Sequence, residues 1–176
     1  MTAAAMLHRI ERHAVLLASG ASLSFQRYLA PASGRFATAP QSLGGLPCAA
    51  SGDGVMVPLP ADEGLWLACL PAPQASRTSL AVAPADGMRA TRVAERAPAS
   101  LIVLPGFRSG DAFAAIRRTA PRCALRVAVR SALPRGGVEV ETLTLTLVSP
   151  QQFESATGLA VAAADPRHAF GGWRLT

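Results

Sequence analysis

Residues 123–148 read CALRVAVRSALPRGGVEVETLTLTLV, and this stretch decides the fold. Cys123, Leu125, Val127 and Val129 alternate with Ala124, Arg126, Ala128 and Arg130. A period of two, with β-branched residues on one side, describes a half-buried strand. Pro134, Gly136 and Gly137 supply a turn, and Val138 and Val140 resume the alternation with Glu139 and Glu141 on the other side. The next apolar residues are Leu143, Leu145 and Leu147, so the phase slips by one. A β-bulge between Val140 and Leu143 would return the leucines to the core side. The expectation is a long antiparallel hairpin with a bulged return strand. On that arrangement Arg126 and Arg130 share the polar face with Glu139 and Glu141 and pair with them across the ladder.

Outward from the hairpin, the chain reads as short extended segments between turn residues. His13–Ala18 and Ser22–Leu29 suggest two strands around Ser19-Gly20. Residues 30–54, rich in Pro, Gly, Ala and Ser, suggest a long loop, either functional or draped over the sheet. Val55–Leu59 and Leu65–Leu70 read as a hairpin carrying Trp66. Pro58 and Pro60 cannot donate to a ladder, which places the first of these strands at an edge. Thr78–Ala83 and Met88–Ala94 form another candidate hairpin, and Ser100–Leu104 a short apolar strand. Helices are expected over Thr2–Arg12, over Ser109–Arg118, and after Ser149, where Pro150 takes the first turn, Phe153 packs and Gly158 ends the helix. The sum is a mainly β chain, an antiparallel β-sandwich or barrel with two or three short helices, forming a single β-rich domain over residues 1–176.

Composition bounds the function. The 176 residues carry a formal net charge of +6, which points towards acidic partners such as nucleic acid or an anionic membrane surface. All 17 basic residues are Arg, and neither Lys nor Asn occurs. Such usage matches a GC-rich coding bias. Charged residues make up 16% of the chain, against roughly a quarter in an average globular protein. So sparse a charged surface favours coverage by a protein partner or by another copy. Cys48, Cys69 and Cys123 are odd in number and widely spaced, and read as buried thiols in a reducing, cytoplasmic compartment. No apolar run approaches about 18 residues, so no membrane insertion is expected. Arg9 and Arg12 before Ala14–Ala18 faintly suggest a secretory leader, but Ser19 and Gly20 break so short a run.

The absence of Lys removes a Walker A phosphate lysine, a Schiff-base lysine and a lysine general base. Only His8, His13 and His168 supply imidazoles. Their spacing matches no metal motif, so no metal and no cofactor are expected. Asp62 and Glu63 are adjacent and point apart in an extended segment, which suits a turn better than acid–base chemistry. Arg108, Arg117, Arg118 and Arg122 lie in a stretch whose one acid is Asp111, and are the candidates for phosphate contact. No aromatic residue interleaves with the strand arginines, so no base-stacking platform is expected there. Trp66, Trp173, Arg126 and Arg130 are the candidates for a protein interface.

These features favour a non-catalytic interaction or structural β-domain, a subunit or accessory protein of a larger assembly, as in phage-like or secretion machinery. The first alternative is a small-molecule-binding or enzymatic barrel with His13, His168 and Trp66 at its mouth. The second is Arg-mediated binding of nucleic acid.

Overall fold

The computed structural model describes residues 9–52, 54–85, 91–96, 100–165, 167 and 173–174. The strands in chain order are β1 (Arg9–Glu11), β2 (Ala14–Leu16), β3 (Ser22–Leu29), β4 (Arg35–Phe36), β5 (Thr38–Ala39), β6 (Ala49–Ser51), β7 (Gly54–Pro58) and β8 (Glu63–Leu70). They continue as β9 (Arg77–Pro84), β10 (Thr91–Arg96), β11 (Ile102–Leu104), β12 (Gly106–Ser109), β13 (Ala112–Ala115), β14 (Arg122–Ala132) and β15 (Val138–Val148). Helix α1 (Pro150–Thr157) and β16 (Trp173–Arg174) follow. The chain is mainly β and its sheets are antiparallel, apart from a parallel pairing of β15 with β7. A five-stranded sheet runs β1-β2-β3-β8-β11 and a six-stranded sheet runs β10-β9-β14-β15-β7-β6. Both strand orders are open, and no closed barrel forms among the described residues.

One hydrophobic cluster joins the two large sheets. Leu23, Phe25, Leu65, Leu67 and Ile102 come from the first; Val55, Leu80, Val82, Val127, Leu143 and Leu145 come from the second. Alternate residues of β3, β7, β8, β9, β14 and β15 feed this cluster, as the two-residue side-chain period requires.

The central hairpin departs from expectation in its register. β14 and β15 pair over all 11 residues, from Arg122 opposite Val148 to Ala132 opposite Val138, and no bulge interrupts them. The phase break is resolved in another way. Val138 and Val140 turn outward, 47% and 51% exposed, and Glu141 turns inward at 3%. A buried carboxylate is tolerable only when hydrogen-bonded. Glu141 accepts from the Ser19 N–H at 3.1 Å and from the Ser19 hydroxyl. Gln74 Nε2 in turn donates to the Ser19 carbonyl at 2.6 Å, which fixes that turn.

Other local expectations divide. The pair β2–β3 forms as read, β9 pairs with Thr91–Arg96 where Met88–Ala94 was expected, residues 88–90 lying outside the described residues, and α1 carries the expected cap. Ser149 and Gln152 make a reciprocal capping box, Phe153 is buried, and Gly158 closes the helix at φ 71°. The helix expected over Ser109–Arg118 is instead the β12–β13 hairpin. Ser109 faces Ala112 across the two-residue turn Gly110-Asp111, with Gly110 at φ 63°. Gly in the left-handed region favours such a turn, and Phe113 then lies beside Phe36 of β4, ring centroids 6.0 Å apart. Of the N-terminal helix, residues 2–8 lie outside the described residues, and Arg9–Glu11 are strand. One helix, α1, thus stands among the described residues where two or three were expected.

Val55–Leu59 and Leu65–Leu70 do not form a hairpin, because β7 and β8 belong to different sheets. β7 is not an edge strand either. It lies between β15 and β6, but β6 reaches only to Met56, so Pro58 sits where no outer partner asks for its N–H. The loop over residues 30–54 contains β4, β5 and β6, and it also completes the first sheet. Leu43 N–H donates to the Arg27 carbonyl, Arg27 N–H to Gly44 and Leu46 N–H to Phe25, so residues 43–46 occupy the edge of β3 beyond β2.

Two contacts tie sheet to surroundings. Arg27 of β3 grips Glu63 of β8 through Nε at 2.7 Å and a terminal nitrogen at 2.6 Å, and donates to the Ala162 carbonyl at 2.7 Å. Both side chains are buried, at 6% and 4% exposure. On the opposite face of the same strands, the Tyr28 hydroxyl donates to the Pro105 carbonyl at 2.8 Å, and its ring meets Phe36 edge-on at 5.7 Å. Gly64 lies directly under that ring, where a Cβ would overlap it.

Removing one partner of a desolvated pair strands the other charge. Arg27→Met is therefore expected to cost about 3–5 kcal/mol in urea unfolding, and Arg27→Met with Glu63→Leu to recover most of the loss. Gly64→Ala is expected to cost about 1–3 kcal/mol by overpacking against Tyr28, in the same measurement.

Candidate interaction surface

The register of β14 and β15 determines which side chains share the outer face of the six-stranded sheet. Arg122, Ala124, Arg126, Ala128 and Arg130 point outward from β14, alternating with the buried Leu125, Val127 and Val129. Beside them stand Thr144 opposite Arg126, Thr142 opposite Ala128 and Val140 opposite Arg130. On the other flank Ala83 is opposite Arg126, and Ser79 opposite Arg130. Small and β-branched neighbours leave this face low and the three guanidiniums prominent. At the strand rise, successive arginines are about 13 Å apart and the row spans roughly 27 Å.

The expected pairing with glutamate does not occur. Glu139 is opposite Ser131 and Glu141 opposite Val129, so both belong to the other side of the sheet. No ion pair or hydrogen bond joins Arg122, Arg126 or Arg130 to another described residue. The outward positions of β9, β14 and β15 hold no acid. Glu154 stands on this side of the sheet, but on α1, which packs through Phe153 over Met56 of β7 and Val148 at the end of β15.

The remaining arginine candidates separate into two groups. Arg118 Nε donates to the Leu59 carbonyl at 2.9 Å, and Arg117 reaches the Ala61 carbonyl at 3.5 Å. Leu59 follows Pro58, which is level with Val148 and hence with Arg122, so Arg117 and Arg118 collect at the Arg122 end of the row. Arg108 lies apart, on β12 of the three-stranded sheet, with Nε bonded to the Gly110 carbonyl at 3.3 Å. Trp66 offers no surface. It is 3% exposed, on the face of β8 turned away from the main core, and its Nε1 has no acceptor among the described residues. The backbone of Trp173 pairs with Ala39; its side chain lies outside the described residues.

Of the residues suggested for an enclosed site, only His13 and Trp66 are described. His13 lies beside Gly45, Trp66 is buried on β8, and His8 and His168 are outside the described residues. A cleft of about 590 Å³ opens between the Pro73–Ser76 turn and the Leu133–Arg135 hairpin tip. Behind it Thr78 and Ser131 face each other across the ladder, buried and without hydrogen-bond partners among the described residues. No group of three His, Cys, Asp or Glu residues able to hold a metal occurs among the described residues. Glu63, read as a turn residue, is half of the buried ion pair, and Glu141, read as surface, is the carboxylate bound to Ser19. A periodicity argument could not find either, since each occupies a position where an apolar residue is the rule.

The three thiols sit in different electrostatic surroundings. Burial pushes Cys48 up to about 11, and burial with the nearby Glu141 charge pushes Cys69 up to about 12. At Cys123 partial burial acts upward. It is outweighed by hydrogen bonds from the Thr119 hydroxyl and from the Ala120 and Thr119 N–H groups, with the Arg118 charge adding to them, and the thiol falls below its usual value. Among the described residues no helix is long and apolar enough to cross a membrane.

Compared with protein-family models, curated proteins and solved structures, the chain matches none.

Because the thiolate is the reactive form, a mild disulfide reagent at pH 7.5 is expected to label one thiol per native chain. Cys123→Ser is expected to abolish that labelling, with Cys48 and Cys69 reacting only in denaturant; the readout is intact mass.

Proposed function

We propose that this protein is a non-catalytic interaction or structural β-domain, a cytoplasmic subunit or accessory protein of a larger assembly such as phage-like or secretion machinery. In this reading residues 1–176 form one domain, and the two large sheets pack face to face as a β-sandwich. The observation that carries it is the outer face of β14–β15: a row of exposed arginines without acids, ending beside the exposed Val138 and Val140. The exposed valines leave apolar surface in water, which a partner would cover, and the neighbouring guanidiniums supply charge that would steer and orient one. The core supports the same reading. It holds the hairpin rigid from both sides, through β9 and β7, so the face is presented without the ordering cost that a loop would incur on binding.

A photo-crosslinking residue at Thr144, in the middle of the face, is expected to capture a discrete partner or a second copy in cells of the source organism. The same residue at Ser155, exposed on α1, is expected to capture little. Equal yields at the two positions, or none at Thr144, would remove the reading.

A further inference from the structure

We propose that the outer face of β14 binds the phosphate backbone of double-stranded nucleic acid without sequence preference. The inference rests on the reading of this face as the docking surface and names what docks there.

Had Glu139 and Glu141 shared the face of Arg126 and Arg130, the four charges would cancel locally. The unslipped ladder puts both glutamates on the opposite side, so no acid on β9, β14 or β15 offsets the row, and Glu154 on α1 is set apart from the middle and the Arg130 end. A GC-rich coding bias explains why these residues are Arg and not Lys. It does not explain why Arg122, Arg126 and Arg130 all occupy outward positions of one strand, four residues apart, with no acid beside them on the neighbouring strands. Arg117 and Arg118 extend the positive charge past the Arg122 end, held there by the Leu59 and Ala61 carbonyls.

The form of the face selects the class of anion. Regularly spaced guanidinium groups along roughly 27 Å match a linear polyanion better than a small ligand. Single strands are held by aromatic side chains on which bases stack, and the outward positions of β9, β14 and β15 carry none. Alanine, serine and threonine between the arginines give short hydroxyl donors, and although arginine can reach base edges, the middle of a six-stranded sheet is too broad to enter a groove about 12 Å wide. Contacts are therefore to phosphate, which positions a protein but does not read sequence.

The test is fluorescence anisotropy with two labelled 20-base-pair duplexes of unrelated sequence, titrated with the full chain at several salt concentrations. Both duplexes are expected to bind equally, with a slope of log K against log [salt] of about −2.7 or steeper, from three or more phosphates. Arg126→Gln with Arg130→Gln, substitutions on an exposed face whose folding is checked by thermal melt, is expected to lower affinity at least about tenfold and to reduce the slope by about 1.8. No binding to either duplex at 20 mM salt would overturn the inference. So would tighter binding to the single strand, equal displacement by poly-glutamate, or a double variant that binds like the parent. Any of these combined with a Thr144 crosslink to protein leaves the docking surface standing and removes nucleic acid as its partner.

Discussion

The eleven-residue ladder between β14 and β15 is the constraint on which the structure depends. It lies at the centre of the six-stranded sheet, flanked by β9 and β7, and it supplies the core with Leu125, Val127, Val129, Leu143, Leu145 and Leu147. A shift of one residue would send all the leucines of β15 to the solvent side. The burial of about 1.5–3 kcal/mol per apolar side chain decides the contest against a single inward carboxylate. That carboxylate is then accommodated by Ser19, a turn residue of the other sheet. The inward Glu141 is thus a consequence of keeping the ladder straight. So is the outward pair of valines.

The same register separates the charges of the hairpin. Acids go to the side of the core and its rim, arginines to the outside. A second polar device secures the far end of the first sheet. Arg27 and Glu63 occupy core-facing positions of β3 and β8, and the third bond from Arg27, to Ala162, ties down the segment after α1. Neither device makes a reactive centre. Each is a charge whose burial is balanced by its hydrogen bonds, and each lies where two parts of the chain must be held together.

Much of the fold was legible because alternation is a direct imprint of burial on one face. The hairpin, the β2–β3 and β9–β10 pairs and the capped helix α1 all announce themselves in local pattern. The errors have a common origin in long-range pairing. β7 and β8 look like a hairpin because only four residues part them, but each finds a better partner elsewhere. Ser109–Arg118 reads as a helix until Phe113 meets Phe36, a residue far earlier in the chain. Residues 43–46 have no strand-like pattern, and join β3 through backbone bonds that any side chain permits. The arginine row was visible in the sequence as a dense stretch. Its isolation from the glutamates was not, since that depends on whether one bulge exists.

The straight register is therefore the claim to test, and cross-strand nuclear Overhauser effects between backbone protons of β14 and β15 test it most directly. The account predicts contacts of Arg126 with Thr144, Ala128 with Thr142 and Arg130 with Val140, one residue facing one residue along the whole ladder. Two consecutive residues among Val140, Glu141 and Thr142 facing a single residue of β14 would establish a bulge. Glu139 would then lie on the arginine side of the sheet, and the charge separation on which the binding face rests would be lost.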